Sequence, residues 1–260
     1  MDYQDILYDV KDGAARITIN RPEKYNAFRG QTCEELVHAL NKAGWDDAIG
    51  VIVLAGAGDK AFCTGGDQSV GDEGSHYDGR GTIGLPMEDL HSILRDVPKP
   101  VIARVQGYAI GGGNVLCTIC DFTIASESAV FGQVGPKMGS VDPGFGTAYL
   151  ARVVGEKKAR EMWYMCRRYP AKEALAMGLV NAVVPDDELD AEVDRWCAEI
   201  MEKAPRRWRL PNVRSTWTAK AFVASPAWGC MPSKCITIPM NQKKAASPLL
   251  KRENRISVNT

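Results

Sequence analysis

Histidine is scarce in this chain. Only His38, His76 and His91 occur in 260 residues, and they form no H-E-x-x-H or similar ligand spacing. No metal centre is expected. A G-x-S-x-G elbow is also missing, which removes the serine α/β-hydrolases as a source of hydrolytic activity. No apolar run is long enough to span a bilayer. Neither charge sign is in excess: Lys+Arg and Asp+Glu both number 32. Nothing general therefore draws the chain to nucleic acid or an anionic membrane, and neither is expected as a partner. The opening Met1-Asp2-Tyr3-Gln4-Asp5 is acidic and lacks the basic-then-apolar order of a secretory leader, so the expected location is cytoplasmic.

At 28.4 kDa the chain can bury a substantial core, as one large domain or one domain with a small appendage. Its eight cysteines are scattered through a chain too large to need disulfides. Cys117 and Cys120 form a C-x-x-C, but it sits in an apolar helical stretch with no second pair. Buried, reduced thiols acting as small hydrophobes are expected there.

The informative stretch is Tyr108-Ala109-Ile110-Gly111-Gly112-Gly113-Asn114, between the apolar strand Val101–Val105 and the apolar run Val115–Ile119. Glycine removes the Cβ barrier to close approach, and a helix beginning there presents unpaired N–H donors. Such donors suit a phosphate or a developing oxyanion. Alternatively, the glycines serve only tight helix-on-sheet packing. A second glycine stretch, Phe62-Cys63-Thr64-Gly65-Gly66-Asp67-Gln68, also follows an apolar strand, Val51–Ala55.

Around these stretches the pattern is regular. Ile6–Val10 and Ala15–Ile19 flank Asp12-Gly13 and predict a hairpin. Residues 20–29 form a polar loop with three basic residues and two aromatics. It reads as a solvated connection, or as a clamp for a phosphate-bearing, ring-bearing ligand. Thr32–Ala43 is amphipathic through Leu36, Val37, Leu40 and Ala43. Residues 69–85 predict a long glycine-rich loop containing Tyr77 and Arg80. Met87–Arg95, Glu156–Arg167, Ala171–Met177 and Asp186–Lys203 predict helices. Asp121–Ala125 and Val180–Val184 predict strands, and residues 131–136 and 139–146 predict loops. Strands alternating with helices indicate an α/β fold, with both glycine turns at strand C-terminal ends, where ligands bind.

Several ordered landmarks name a family: Arg21-Pro22, Asn26-Ala27, the stretch Phe62 to Gln68, Pro98-Lys99-Pro100-Val101-Ile102-Ala103, Gly107 to Gly113, Asp121 and Phe131-Gly132-Gln133. From about residue 3 to about 204 the chain resembles the crotonase (enoyl-CoA hydratase/isomerase) superfamily. The resemblance implies a spiral of ββα units with a helical C-terminal region. It also implies an acyl-CoA thioester as substrate and, if the C-terminal region is functional, assembly as a homotrimer or homohexamer. By position, the Gly66 and Gly112 N–H groups would hold the thioester enolate, and Lys24, Ala27, Phe28 and Arg29 would lie along coenzyme A. Thr64, Gly65, Asp67, Gln68, Tyr108, Ala109, Ile110, Gly111, Gln133, Val134 and Gly135 would complete the acyl-CoA site. No permanently bound cofactor is implied; coenzyme A enters with the substrate, and bicarbonate near Gln133 and Gly135 is left open.

Departures from the family pattern narrow the activity. Hydratases of the family carry glutamates where this chain has Val115 and Gly135, and hydration needs those carboxylates to activate water. The combination of Cys63-Thr64, Tyr77-Asp78-Gly79-Arg80-Gly81 and Gly139-Ser140-Val141-Asp142-Pro143 resembles the 2-ketocyclohexanecarboxyl-CoA hydrolases. These act in anaerobic benzoate and cyclohexanecarboxylate degradation, opening a β-keto ring with water to give pimeloyl-CoA. By that resemblance Asp142 activates water, Ser140 positions it and Tyr77 donates to the ring ketone. Asp142 also reads as a turn former before Pro143. The alternatives are the ring-closing 1,4-dihydroxy-2-naphthoyl-CoA synthases of menaquinone synthesis and an inactive acyl-CoA-binding protein.

After Pro205 the character changes. Arg206-Arg207-Trp208-Arg209-Leu210-Pro211 is basic, and prolines recur at Pro226, Pro232, Pro239 and Pro248, a density incompatible with the family's continuous helices. Codons compatible with Trp228–Gln242 permit, in a neighbouring frame, a stretch resembling the family's C-terminal helix. The expectation is a catalytic domain over 1–205 and a frame-shifted, poorly ordered tail over 206–260. The nucleotide sequence of the gene tests it.

Overall fold

The computed structural model describes residues 1–70, 81, 83–140 and 145–203. Tyr77, Asp142 and the tail 206–260 lie outside the described residues. The chain begins with the expected hairpin, β1 (Ile6–Lys11) against β2 (Ala14–Ile19), with Ile6 opposite Ile19. Asp12 and Gly13 take φ of 50° and 77°, the left-handed pair that a two-residue type I′ turn requires. Helix α1 (Gly30–Trp45) follows, and Cys33, Leu36, Ala39, Leu40 and Ala43 form its buried stripe.

The chain then runs through repeated units. The first is β3 (Val51–Gly56), β4 (Ala61–Cys63) and α2 (Met87–Asp96). The second is β5 (Val101–Val105), β6 (Tyr108–Ile110) and α3 (Gly112–Ile119). The third is β7 (Phe122–Ser126), β8 (Val130–Gly132) and the short α4 (Gly135–Met138). After them come α5 (Phe145–Val154), α6 (Glu156–Met165), β9 (Arg168–Pro170), α7 (Ala171–Ala176), β10 (Ala182–Val184) and α8 (Leu189–Lys203). Each unit gives its first strand to a six-stranded sheet of order β1-β2-β3-β5-β7-β10. Its second strand goes to a four-stranded sheet of order β4-β6-β8-β9. All pairings are parallel except β1 with β2 and β8 with β9. This is the expected ββα spiral.

Alternation along the long strands explains the two layers of core. Ile52 and Leu54 join the larger core with Leu36, Phe62 and Leu116, whereas Val51 and Val53 join the smaller core with Leu189, Val193 and Cys197 of α8. Both faces of β3 are thereby buried, as its unbroken apolar run required. No helix among the described residues is long and apolar enough to cross a membrane.

Four sequence expectations are corrected. Tyr108–Ile110 is a strand, not part of a turn. Val130–Gly132 is a strand and Gly135–Met138 a short helix, where the sequence predicted a loop. Helix α5 begins at Phe145, inside another predicted loop. Helix α6 stops at Met165 because Cys166 turns left-handed, with φ 48°, so Arg167 is outside it.

Candidate active site

The loop after β2 is not a solvated connection: Arg21, Asn26, Ala27 and Phe28 are all buried. Asn26 holds the loop closed. Its Oδ1 accepts the Arg21 N–H at 3.0 Å, and its Nδ2 donates to the carbonyls of Ala57 and Ala61. A buried cation must be paired, and Arg21 donates to Asp67 Oδ2 at 2.8 Å and to the Ala27 carbonyl. Asp5 stands 3.8 Å from the Arg21 Nε and takes two 2.8 Å bonds from Arg29 and one from Thr32. Arg29 is thus committed to Asp5. Burial pushes the Asp5 carboxyl up, but the Arg29 and Thr32 hydrogen bonds and both guanidinium charges outweigh it and hold Asp5 below the usual range. Asp67 follows the same logic: hydrogen bonds from Ser69 and the Arg21 charge outweigh its burial. Lys24 is exposed, with its Nζ 3.4 Å from Ser69 Oγ.

This network fixes the first glycine turn. The Phe28 N–H donates to the Gly65 carbonyl at 2.8 Å, and the Asp67 N–H donates to the Phe28 carbonyl at 2.9 Å. Gly66 lies between those bonds, so its own N–H is turned away from Phe28. Thr64 Oγ1 donates to the Tyr25 carbonyl, and Gln68 Nε2 to the Gly66 carbonyl.

The second turn meets the first. Gly111 has φ 58° and ψ −122°, a conformation closed to side-chain-bearing residues, and its N–H bonds the Gly132 carbonyl at 2.9 Å. Helix α3 then starts at Gly112. A Cβ on Gly113 would lie 1.9 Å from the Cys63 carbonyl oxygen, so that glycine lets α3 sit directly on the end of β4. A Cβ on Gly65 would stand 3.0 Å from the Gly112 nitrogen. The glycines serve packing, and the packing brings the two turns together. Neither the Gly66 nor the Gly112 N–H has an acceptor among the described residues, as the first turn of a helix leaves its donors open. Two open amides on adjoining turns can hold an oxyanion.

The rest of the expected site surrounds them. Ala109 and Ile110 are buried in β6, while Tyr108 at its start is partly exposed beneath Arg168, 5.4 Å from its ring. Val134 reaches over Gly111: its Cγ2 would lie 3.5 Å from a Cβ there. Gln133 is buried, and its Nε2 has no partner among the described residues. Ser140 is exposed, yet its N–H bonds the Gly135 carbonyl at 3.0 Å and its Oγ would be 3.6 Å from a Gly135 Cβ. The hydratase carboxylate positions hold buried Val115 and buried Gly135.

Two neighbours went unnoticed in the sequence. Trp163 of α6 closes on Gly135 at 3.1 Å from its Cβ position, and its indole N–H is buried without a described partner. Asn114 Oδ1, in the first turn of α3, is likewise buried and unpartnered among the described residues. Asn114 stood inside the glycine motif and could have been singled out as a polar residue opening an apolar helix. Trp163 carried no local signal. Cys117 and Cys120 are buried free thiols, as expected.

With this geometry the chain belongs to the enoyl-CoA hydratase/isomerase family, whose family model matches residues 9–217. Solved structures agree. An enoyl-CoA hydratase from Bacillus anthracis is 32% identical, with 80% of each chain covered and a TM-score of 0.70. An enoyl-CoA hydratase/carnithine racemase from Magnetospirillum magneticum is 32% identical over 86% of this chain and 81% of its own, with a TM-score of 0.73. An enoyl-CoA hydratase from Mycobacterium avium subsp. paratuberculosis K-10 is 31% identical over 86% and 88%, also at 0.73.

Proposed function

We propose that the protein hydrolyses the ring carbon–carbon bond of 2-oxocyclohexane-1-carboxyl-CoA to give pimeloyl-CoA. The observation that carries this reading is the pairing of two adjoining open-amide turns with Val115 and Gly135 where hydratases of the family hold carboxylates. The site keeps the means to stabilise a thioester enolate and lacks the pair that would hydrate an alkene.

In this reading water, activated by Asp142 and positioned by Ser140, adds to the ring ketone while Tyr77 donates to the ketone oxygen. The bond between the former ketone carbon and the α-carbon then breaks. Its electron pair moves onto the thioester as an enolate, whose oxygen is held by the Gly66 and Gly112 N–H groups. The ketone carbon becomes a carboxylate, and a proton returns to the α-carbon. Each oriented amide supplies about 3 kcal/mol of transition-state stabilisation. Gln133 Nε2 and Trp163 Nε1 are buried donors without a partner among the described residues, and bicarbonate near Gln133 and Gly135 stays open in this reading. Assembly as a homotrimer or homohexamer belongs to this reading if the C-terminal region is functional.

The test is a spectrophotometric assay of the 260-residue chain with 2-oxocyclohexane-1-carboxyl-CoA beside an Asp142→Asn variant. Ring opening that the variant loses supports the reading. Ring closure of succinylbenzoyl-CoA in its place would favour the naphthoyl-CoA synthase, and binding without turnover an inactive acyl-CoA-binding protein.

A further inference from the structure

We infer that Phe28 is a positioning residue that sets the spacing between the two oxyanion donors, an inference that rests on the oxyanion reading of Gly66 and Gly112. Its backbone and its ring act on different turns. The Phe28 N–H and C=O clasp Gly65 and Asp67 at 2.8 and 2.9 Å, which fixes the peptide carrying the Gly66 N–H. Its ring rests on the other turn: Cζ would lie 2.6 Å and Cε1 2.9 Å from a Cβ on Gly112. One side chain, 3% exposed, therefore spans from the first donor to the second.

The spacer is itself rigidly held. Arg21 bonds the carbonyl of Ala27, the residue before it, and also Asp67, its backbone partner. Arg29, the residue after it, is locked to Asp5 through two 2.8 Å bonds. A flat ring with two torsions leaves little freedom once those neighbours are fixed. Two amides serve one oxygen only if their separation is held before the charge develops. Phe28 is buried where Lys24 is exposed, and its ring edge contacts the second donor turn.

The test compares two non-reacting probes by titration calorimetry. One is cyclohexanecarboxyl-CoA, a thioester without the ring ketone; the other is its thioether, cyclohexylmethyl-CoA, which lacks the carbonyl oxygen. Wild type should prefer the thioester by about fivefold or more, the worth of a net hydrogen bond. Phe28→Leu removes the ring edge at Gly112 and should bring that ratio close to one, a readout from which any loss of coenzyme A contact common to both probes cancels. Val193→Ala, on the far face of the large sheet, should lower Tm and keep the wild-type ratio. Should Phe28→Leu not fold, Phe28→Met preserves volume and carries the same expectations. A Phe28 variant that keeps the wild-type ratio overturns the spacer role and leaves the oxyanion reading intact. No preference in wild type overturns the oxyanion reading and the inference with it.

Discussion

Arg21→Met removes the cation at the centre of the buried network without removing its volume. The loss comprises the 2.8 Å pair with Asp67, the hydrogen bond to the Ala27 carbonyl and the charge 3.8 Å from Asp5. The Arg21 and Asp67 side chains are 11% and 5% exposed, so water does not replace what is lost. Breaking a buried pair from one side typically costs 3–5 kcal/mol. Here Asp67 keeps two bonds from Ser69, at 3.0 and 2.6 Å, and Asp5 keeps Arg29 and Thr32. Those surviving donors place the cost near the lower bound, at about 3 kcal/mol, or about 6–12 °C in Tm for a domain of this size. Asp67→Asn alone should cost about 2 kcal/mol, and the double variant less than the sum, with a coupling of about 1.5 kcal/mol or more. Urea denaturation followed by circular dichroism at neutral pH measures all three. A single-variant cost below about 1 kcal/mol, or additivity within about 0.5 kcal/mol, would refute the assignment of Arg21 as the clamp on the Gly66 turn.

Acid tests the same network: the folded-state pKa values of Asp5 and Asp67 lie below their unfolded values. Their contribution is fully present above the ordinary carboxylate range near about pH 4 and is lost as pH falls through the folded values. Asp67→Asn should therefore lose stability less steeply than wild type below about pH 4; parallel curves would contradict this. Gly113→Ala drives a Cβ to 1.9 Å from the Cys63 carbonyl oxygen, a backbone atom that cannot swing aside. It should cost at least about 3 kcal/mol in thermal or urea melts, against about 1 kcal/mol for Gly139→Ala, which has positive φ but open space. Equal costs would mean that α3 is not seated on β4. Burial pushes the Cys63 thiol up to about 12 and raises Cys117 as well, whereas Cys166 is partly exposed. Mass-mapped iodoacetamide labelling of the native protein should modify Cys166 well before Cys63 or Cys117; equal rates would show an open core.

Strands β1, β2, β3, β5 and β7 of the large sheet were legible in the sequence because, at five or six residues each, they are long enough to show a pattern. Asp12-Gly13 announced the hairpin, and the unbroken run Val51–Ala55 announced a strand covered on both faces. The small sheet was not. Its strands, Ala61–Cys63, Tyr108–Ile110, Val130–Gly132 and Arg168–Pro170, are three residues each, too short for alternation to register. The glycine motifs marked the site, but their role as interlocking surfaces depends on Gly113 meeting Cys63 and Gly65 meeting Gly112, contacts between distant segments. The same holds for residues 20–29. Three basic residues suggested solvent or a ligand, and only the fold shows that Arg21 faces Asp67 and Arg29 faces Asp5.

The proposed reaction breaks a ring carbon–carbon bond and leaves the thioester intact. Mass spectrometry of the product formed from 2-oxocyclohexane-1-carboxyl-CoA in heavy-oxygen water tests it most directly. Pimeloyl-CoA with the label in its new carboxylate and no release of free coenzyme A is the expected result. Free coenzyme A with a labelled ring acid, or hydration of crotonyl-CoA with the β-keto ring left untouched, would contradict it.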